Sequence, residues 1–373
     1  MERIILHYEG RPGEALAVDW LARTHRAEIV TVTIDCGQPG ELDTVREGAL
    51  AAGAARAHVL DARERFVVEY LLPALQAGIL AEAPDLAAAL SAPLTGRLLA
   101  DIAVMEGAGT VAHLARDAPG EADAIAAAVA AVSPSLRVVA LDAAGITATA
   151  GTGATPSGPA DPTGDGNLWT VRTRVPASTA ADEARSAFRL TCDPLDAPVE
   201  AASLDIEFTA GVPRSVNGVA VGLTELVEIV TTIAGDHGVG RVVRPGHEQT
   251  VWAYESPTGT VLTLAHAALE AAVLDEDVRA LKRLCAQAYG DLVRRGAWAS
   301  PAREAIDALV SRVQARVSGT VRLRLCRGAC QVVRTRLVAS EAGETAGGSP
   351  VAPMPAGEVT TNVASQPSSP MGW

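Results

Sequence analysis

Aromatic side chains are scarce in this chain of 373 residues: Phe, Trp and Tyr together make up 3% of it. A core of the size such a length allows must therefore be built from Ala, Val, Leu and Ile. Basic residues are outnumbered, Lys+Arg 31 against Asp+Glu 44, for a net charge of −13. That sign excludes general binding to a nucleic-acid phosphate backbone, though not a local basic pocket. Cysteines are few, scattered and odd in number: Cys36, Cys192, Cys285, Cys326 and Cys330. This usage predicts free thiols in a reducing compartment. Cys326 and Cys330 flank Arg327-Gly328 across an expected hairpin turn, but no second Cys/His pair has ligand spacing, so no metal site is expected. The opening MERIILHYEG has no apolar core long enough for a signal peptide. No uninterrupted apolar run reaches the ~18 residues of a membrane helix. The expectation is a cytoplasmic protein with neither a membrane nor a nucleic-acid partner.

What is present is an alternation of short apolar runs with longer helical patterns over the first part of the chain. The candidate strands are Ile4–Tyr8, Glu28–Ile34, His58–Leu60, Thr110–His113 and Arg137–Ala140. Candidate helices lie between and after them at Ala15–Arg26, Leu42–Ala52, Arg65–Gln76, Leu90–Glu106 and Glu121–Val132. Strands separated by helices imply βαβ units and a parallel sheet, whose ligand crevice lies beyond the strand C-termini. Residues 147–166, rich in Thr, Gly, Pro and Ala, read as a flexible linker between a domain at 1–146 and another at 167–338. Residues 339–373 read as a disordered tail. In the second domain Leu204–Thr209 and Val219–Val221 bracket an Asn217-Gly218 hairpin turn, followed by a helix at Thr224–Ala234. Val251–Tyr254 and Thr260–Leu264 flank Pro257-Thr258-Gly259 as a strand pair. A long helical region runs from about Leu264 to Arg295, with a break near Asp275. Ser300-Pro301 starts another helix, and Thr320–Cys326 with Gln331–Leu337 forms a last hairpin.

The stretch Ile4–Ala15, IILHYEGRPGEA, is strand, glycine turn and helix start, the layout that places backbone N–H groups and a helix dipole around a phosphate. Its chemistry opposes that use. Glu9 and Glu14 bring negative charge, Pro12 removes a donor, and the loop holds no Lys, Ser or Thr. Gly10 and Gly13 fit either a phosphate loop or a plain tight turn, and the carboxylates favour the turn. Asp35, Gly37 and Gln38 end a strand at the crevice, as a nucleotide surface or as a turn and cap. His113 could be a general base or a structural histidine ending a buried strand. Arg116 with Asp117, and Arg241 with Arg244, could form an anion pocket or a solvated charged loop.

Taken in order, the segments resemble the argininosuccinate synthase family. The resemblance rests on TIDCGQ at Thr33–Gln38 with Arg46-Glu47-Gly48-Ala49-Leu50, on FVVEYLLPALQAG at Phe66–Gly78, and on Asn167-Leu168-Trp169. In the second domain it rests on IAGDHGVGR, YESPTGT, LAHAALEA, GAWASPAREAIDA and SGTVRLRL. It implies an α/β fold, with a PP-loop (adenine nucleotide alpha-hydrolase-like) parallel-sheet domain followed by an α+β domain. It also implies ATP-dependent, AMP-forming ligation of citrulline to aspartate in arginine biosynthesis, with ATP and Mg2+ as cofactors and a tetrameric assembly. The family's nucleotide loop A-Y-S-G-G-L-D-T-S aligns with His7-Tyr8-Glu9-Gly10-Arg11-Pro12-Gly13-Glu14-Ala15. Tyr8 and Gly10 match, while the hydroxyl positions become Glu9, Glu14 and Ala15. By this resemblance Tyr8, Glu9, Gly10, Arg11, Gly13, Ile34, Asp35 and Gly37 line the nucleotide position. Ala112 and His113 match a second motif, and Glu121 keeps its carboxylate. His113 and Glu121 are therefore the catalytic candidates. The Thr and Asn that bind aspartate become Arg116 and Gly120. Arg172 follows Trp169 where the family has G-R-S, and Tyr254 survives from the citrulline pair, so Arg116, Arg172 and Tyr254 are the substrate candidates.

The losses concentrate where the family does its chemistry. Two expectations follow: a homologue that is non-catalytic for argininosuccinate synthesis, or a repurposed ATP-dependent C–N ligase in which Arg11, Arg116 or Arg172 replaces lost contacts. Glycines and prolines replace the family's C-terminal helix, so a dimer is the minimum assembly expected, with a tetramer weakened.

Overall fold

The computed structural model describes residues 2–11, 13–80, 84–115, 120–142, 146, 165–176, 187–245 and 250–338. Arg116, Pro12, most of the expected linker and the expected tail lie outside these residues. The first domain is α/β. Its strands β1 (Arg3–His7), β2 (Glu28–Asp35), β3 (Arg56–Asp61), β4 (Thr110–Leu114) and β5 (Arg137–Leu141) form a parallel sheet in the order β3-β2-β1-β4-β5. β1 is apolar without alternation because both faces of a parallel sheet are covered. Ile5 packs into the large core on one face, and Ile4 and Leu6 pack with Ala17, Val18 and Leu21 on the other. The last three lie on α1 (Glu14–His25), which follows β1 directly.

The chain order reverses between β1 and β4, so the crevice at their C-terminal ends is the topological switch point. α2 (Leu42–Ala51) follows β2. The pattern read as a single helix at Arg65–Gln76 is α3 (Arg63–Phe66), a π-helical segment (Val67–Leu71) and α4 (Leu72–Ala77) in succession, closed by Gly78 at φ 82°. α5 (Pro84–Ala89) and α6 (Ser91–Glu106) follow. The stretch Asp85–Glu106 is long and apolar enough to cross a membrane, and 56% of its most apolar window is buried inside the protein as core. α6 lies close against α7 (Glu121–Val132), because a Cβ on Gly96 would meet the Ile125 carbonyl at 2.5 Å and the Ala128 methyl at 2.7 Å.

Among the described residues the second region holds two antiparallel sheets. β6 (Asp165–Gly166), β7 (Val171–Pro176), β11 (Arg241–Pro245) and β12 (Thr250–Glu255) pair in the order β11-β12-β7-β6. Asp165 and Gly166, at the end of the stretch read as linker, pair with Arg172 and Val171. β8 (Ala202–Thr209), β9 (Val212–Val216), β10 (Val219–Ala220), β13 (Gly319–Cys326) and β14 (Ala329–Leu337) form the other sheet, ordered β10-β9-β8-β13-β14. The Asn217-Gly218 turn joins β9 to β10, and a further turn at Ala210-Gly211 supplies β9, which the sequence reading passed over.

Among the described residues, four helices complete this region: α8 (Leu223–Asp236), α9 (Pro257–Val273), α10 (Glu276–Arg294) and α11 (Pro301–Gln314). The expected strand at Thr260–Leu264 is helical. Pro257 sits in the first turn of α9, and the Thr258 hydroxyl donates to the Val227 carbonyl at 2.7 Å, so tertiary burial overrides the β-branched composition. α11 starts as read, with Ser300 Oγ accepting from Arg303 N at 3.3 Å.

Candidate functional site

Parallel topology gathers the ends of β1, β2 and β4 on one edge of the first sheet. After His7, the chain makes its turn through Tyr8, Glu9, Gly10 (φ 75°) and Arg11 to Gly13 (φ 92°), the N-cap residue of α1. Both glycines stand in the left-handed region that a side chain resists. Tyr8 is tied to β2: its N donates to the Val32 carbonyl at 3.0 Å, and its own carbonyl accepts from the Thr33 hydroxyl at 2.7 Å.

Glu14, the first residue of α1, turns back over the loop. Its Oε2 accepts from Glu9 N at 2.6 Å and from Arg11 N at 3.1 Å, and the residue is only 4% exposed. Arg11 Nε lies 2.9 Å from Glu9 Oε2, and His7 Nε2 lies 3.9 Å from Glu9 Oε1. Burial, reinforced by the charge of Glu9, pushes the Glu14 carboxyl from 4.5 up to about 7, against the opposing pull of the loop amides and Arg11. Burial first and Glu14 second also push the Tyr8 phenol up.

At the end of β2 the polar groups are closed on one another. Gly37 N donates to Asp35 Oδ1 at 2.8 Å, Cys36 N to Gln38 Oε1 at 2.8 Å, and Gln38 Nε2 to the Ile34 carbonyl at 2.7 Å. Arg63 Nε lies 3.4 Å from Asp35 Oδ2 and forks onto Asp61, whose carboxyl it holds low. Above Gly37 (φ 84°) sits the Leu168 side chain, in the space a Cβ would need, and Leu168 N donates to the Cys36 carbonyl at 2.8 Å. The second domain is therefore seated on this strand end.

His113 is buried at the end of β4, with Nδ1 3.1 Å from the Leu114 carbonyl. Glu121 opens α7 behind the N-cap Gly120 (φ 80°). Arg172 and Tyr254 lie on the β11-β12-β7-β6 sheet as direct cross-strand neighbours of β7 and β12, with the Arg172 guanidinium 4.9 Å from the centre of the Trp252 ring. The sequence reading passed over Glu255 beside Tyr254. Its buried carboxylate accepts from Arg189 N, Leu190 N and Thr191 N at 2.8–2.9 Å and from the Thr191 hydroxyl at 2.8 Å. A glutamate ending a strand next to a retained Tyr was the available signal. Its donors lie some 65 residues away in sequence, where no pattern announces them.

Two family models match the chain. The arginosuccinate synthase N-terminal HUP domain covers residues 3–142, and the arginosuccinate synthase C-terminal domain covers residues 165–341. The chain is 35% identical over 351 residues to an argininosuccinate synthase of Symbiobacterium thermophilum, covering 88% of this chain and 86% of the relative. It is 34% identical over 355 residues to one of Oceanobacillus iheyensis, covering 89% and 84%. It is 31% identical over 349 residues to one of Desulfitobacterium hafniense, covering 89% and 87%.

Proposed function

The chain belongs to the argininosuccinate synthase family, and we propose that within it this protein is non-catalytic for the ATP-dependent joining of citrulline to aspartate. The observation that carries this reading is the seat of Glu14. The backbone N–H groups of Glu9 and Arg11, which a phosphate would need, already donate to its carboxylate. The loop residues do not fit a triphosphate. Each like-charge pair at ~4 Å costs about 4 kcal/mol at an effective dielectric of 20, roughly three powers of ten in affinity. The cation of the loop, Arg11, is already paired with Glu9 at 2.9 Å. Gly37 is engaged under Leu168.

Calorimetry with ATP·Mg is expected to give no dissociation constant tighter than about 1 mM, or about −4 kcal/mol. No pyrophosphate should be released in the presence of citrulline and aspartate. A micromolar constant or turnover would overturn the reading. Pyrophosphate released with a different amine and ureido pair would favour the repurposed ligase instead.

The reading extends to a cytoplasmic, self-associating protein. It is supported by the acidic composition, by the five free thiols, and by Leu281 and Leu284, which stand 49% and 64% exposed on α10.

A further inference from the structure

A cleft of about 240 Å³ lies where the two domains meet, and none of the nucleotide, catalytic or substrate candidates lines it. The first domain contributes Leu75, Ala77 and Gly78 at the end of α4, and α9 and α10 of the second supply the rest. Helical periodicity selects the residues. Glu270 recurs one turn after His266 on α9, and Arg279, Lys282, Arg283 and Ala286 share one face of α10. Each helix therefore turns one charged stripe toward the cleft. Between the charges the lining is aliphatic, made by Leu75, Ala77, Ala267, Ala271 and Ala286.

The charges in this cleft do not balance. At its inner end Lys282 Nζ lies 2.9 Å from Glu270 Oε1 and 3.0 Å from Oε2, against Gly78, where a Cβ would come within 3.0 Å of it. At the rim Arg279 and Arg283 both donate to Glu276, Arg283 Nη2 at 3.0 Å. His266 is kept neutral by burial, and α4 adds no charged group to the lining. Three cations thus face two carboxylates. Arg279 Nε is buried and has no acceptor among the described residues. A buried donor left unmet costs about 1–3 kcal/mol, so this wall is short of an acceptor oxygen.

We propose that this cleft binds a short-chain aliphatic monocarboxylate, with its carboxylate on Arg279 and Arg283 and its chain along the alanines. The surplus of one positive charge matches a monoanion. The planar guanidinium donors match the two oxygens of a carboxylate, and a small turn of the Arg279 side chain brings Nε to one of them. Glu270 at the inner end repels a second carboxylate, which disfavours dicarboxylates. The aliphatic walls offer no partner for the hydroxyls of a sugar or a hydroxy acid. An apolar cavity of about 150 Å³ holds a benzene molecule, so the larger cleft has room for a chain of about four to six carbons. The inference goes beyond the functional reading and does not rest on the state of the nucleotide loop.

The probe is butyrate, titrated into the full chain against chloride at constant ionic strength. Lys282 is the only lysine in the chain, so lysine labelled with carbon-13 at Cε gives one side-chain cross-peak, placed on the inner wall of the cleft. Butyrate should shift that peak saturably, with a dissociation constant below about 1 mM. Butylammonium should leave it unmoved, and butanol and succinate should bind at least about tenfold more weakly than butyrate. Arg279→Gln removes the donor, and Ala271→Leu fills the cleft from an exposed helix position. Each should weaken butyrate by at least about tenfold. The wild-type titration decides the matter even where a variant does not fold. No saturable shift with butyrate would overturn the inference. So would butanol, butylammonium or succinate binding as tightly as butyrate, or folded variants that bind butyrate as the wild type does.

Discussion

Glu14 and Glu106 are buried glutamates at opposite edges of the same parallel sheet, and they respond to pH with opposite sign. Glu106 gathers His58 Nε2 at 2.9 Å, Arg56 Nη1 at 2.7 Å and Arg3 Nη1 at 3.6 Å at the edge where the strands begin, and hydrogen bonding by His58 and then Arg56 holds its carboxyl low. A depressed acid contributes stability above its unfolded pKa and loses it as pH falls through the folded value. Glu14 is raised from 4.5 to about 7, so its contribution is full below about 4.5 and is lost as pH rises through about 7. The two and a half units between those values correspond to roughly 3 kcal/mol. Urea unfolding of the wild type and Glu14→Gln should therefore give stabilities whose difference changes by about that amount between about pH 4.5 and pH 8. Parallel pH profiles would rule out the buried, raised carboxyl.

Two contacts between elements can be tested by substitution. Gly96 lets α6 lie against α7, and a methyl there would meet the Ile125 carbonyl at 2.5 Å. Alanine is the better helix former by about 1 kcal/mol, yet overpacking against backbone costs about 1–3 kcal/mol. Gly96→Ala is expected to lower the urea midpoint, and a rise would mean that the helices can part. Ser300 Oγ caps α11 through Arg303 N at 3.3 Å, and Ser300→Ala should cost about 1 kcal/mol by the same measurement. A change within error would show the cap to be redundant with Pro301.

Across the whole molecule the two domains are joined by a polar latch. Gln314 Nε2 donates to the Gln76 carbonyl of α4 at 3.1 Å and to Glu270 Oε1 at 2.5 Å, while Lys282 Nζ lies 2.9 Å from Glu270 and His266 Nε2 2.9 Å from Gln314 Oε1. Burial pushes His266 down, keeping it neutral inside the latch. Lys282 is the only lysine in the chain and is 5% exposed, so no neighbouring lysine substitutes for it. Lys282→Met strands a buried carboxylate and should cost about 3–5 kcal/mol, and adding Glu270→Gln should recover most of that loss. If the double variant is no better than the single, the pair is not the coupled unit. At the level of assembly, the expected species at micromolar concentration is a dimer or larger. Light scattering that returns the monomer mass of 38.3 kDa would refute it.

The sequence by itself determined the α/β order of the first domain. An apolar run buried on both faces, such as Ile4–Leu6, is unmistakable between helical periods, and local turn chemistry located α11 and the last hairpin. It also showed that carboxylates stand in the phosphate loop, because charge is legible residue by residue. Tertiary structure alone decided what those carboxylates do. Glu9 pairs with Arg11 and Glu14 turns inward onto two amides, a choice set by the left-handed Gly13 and by the burial of Glu14 itself. It decided, too, that Thr260–Leu264 is helix, since the full burial of Val261 and Leu262 outweighs β-branched propensity. The second domain closes over Gly37 through Leu168, a contact made across more than a hundred residues that no local pattern carries.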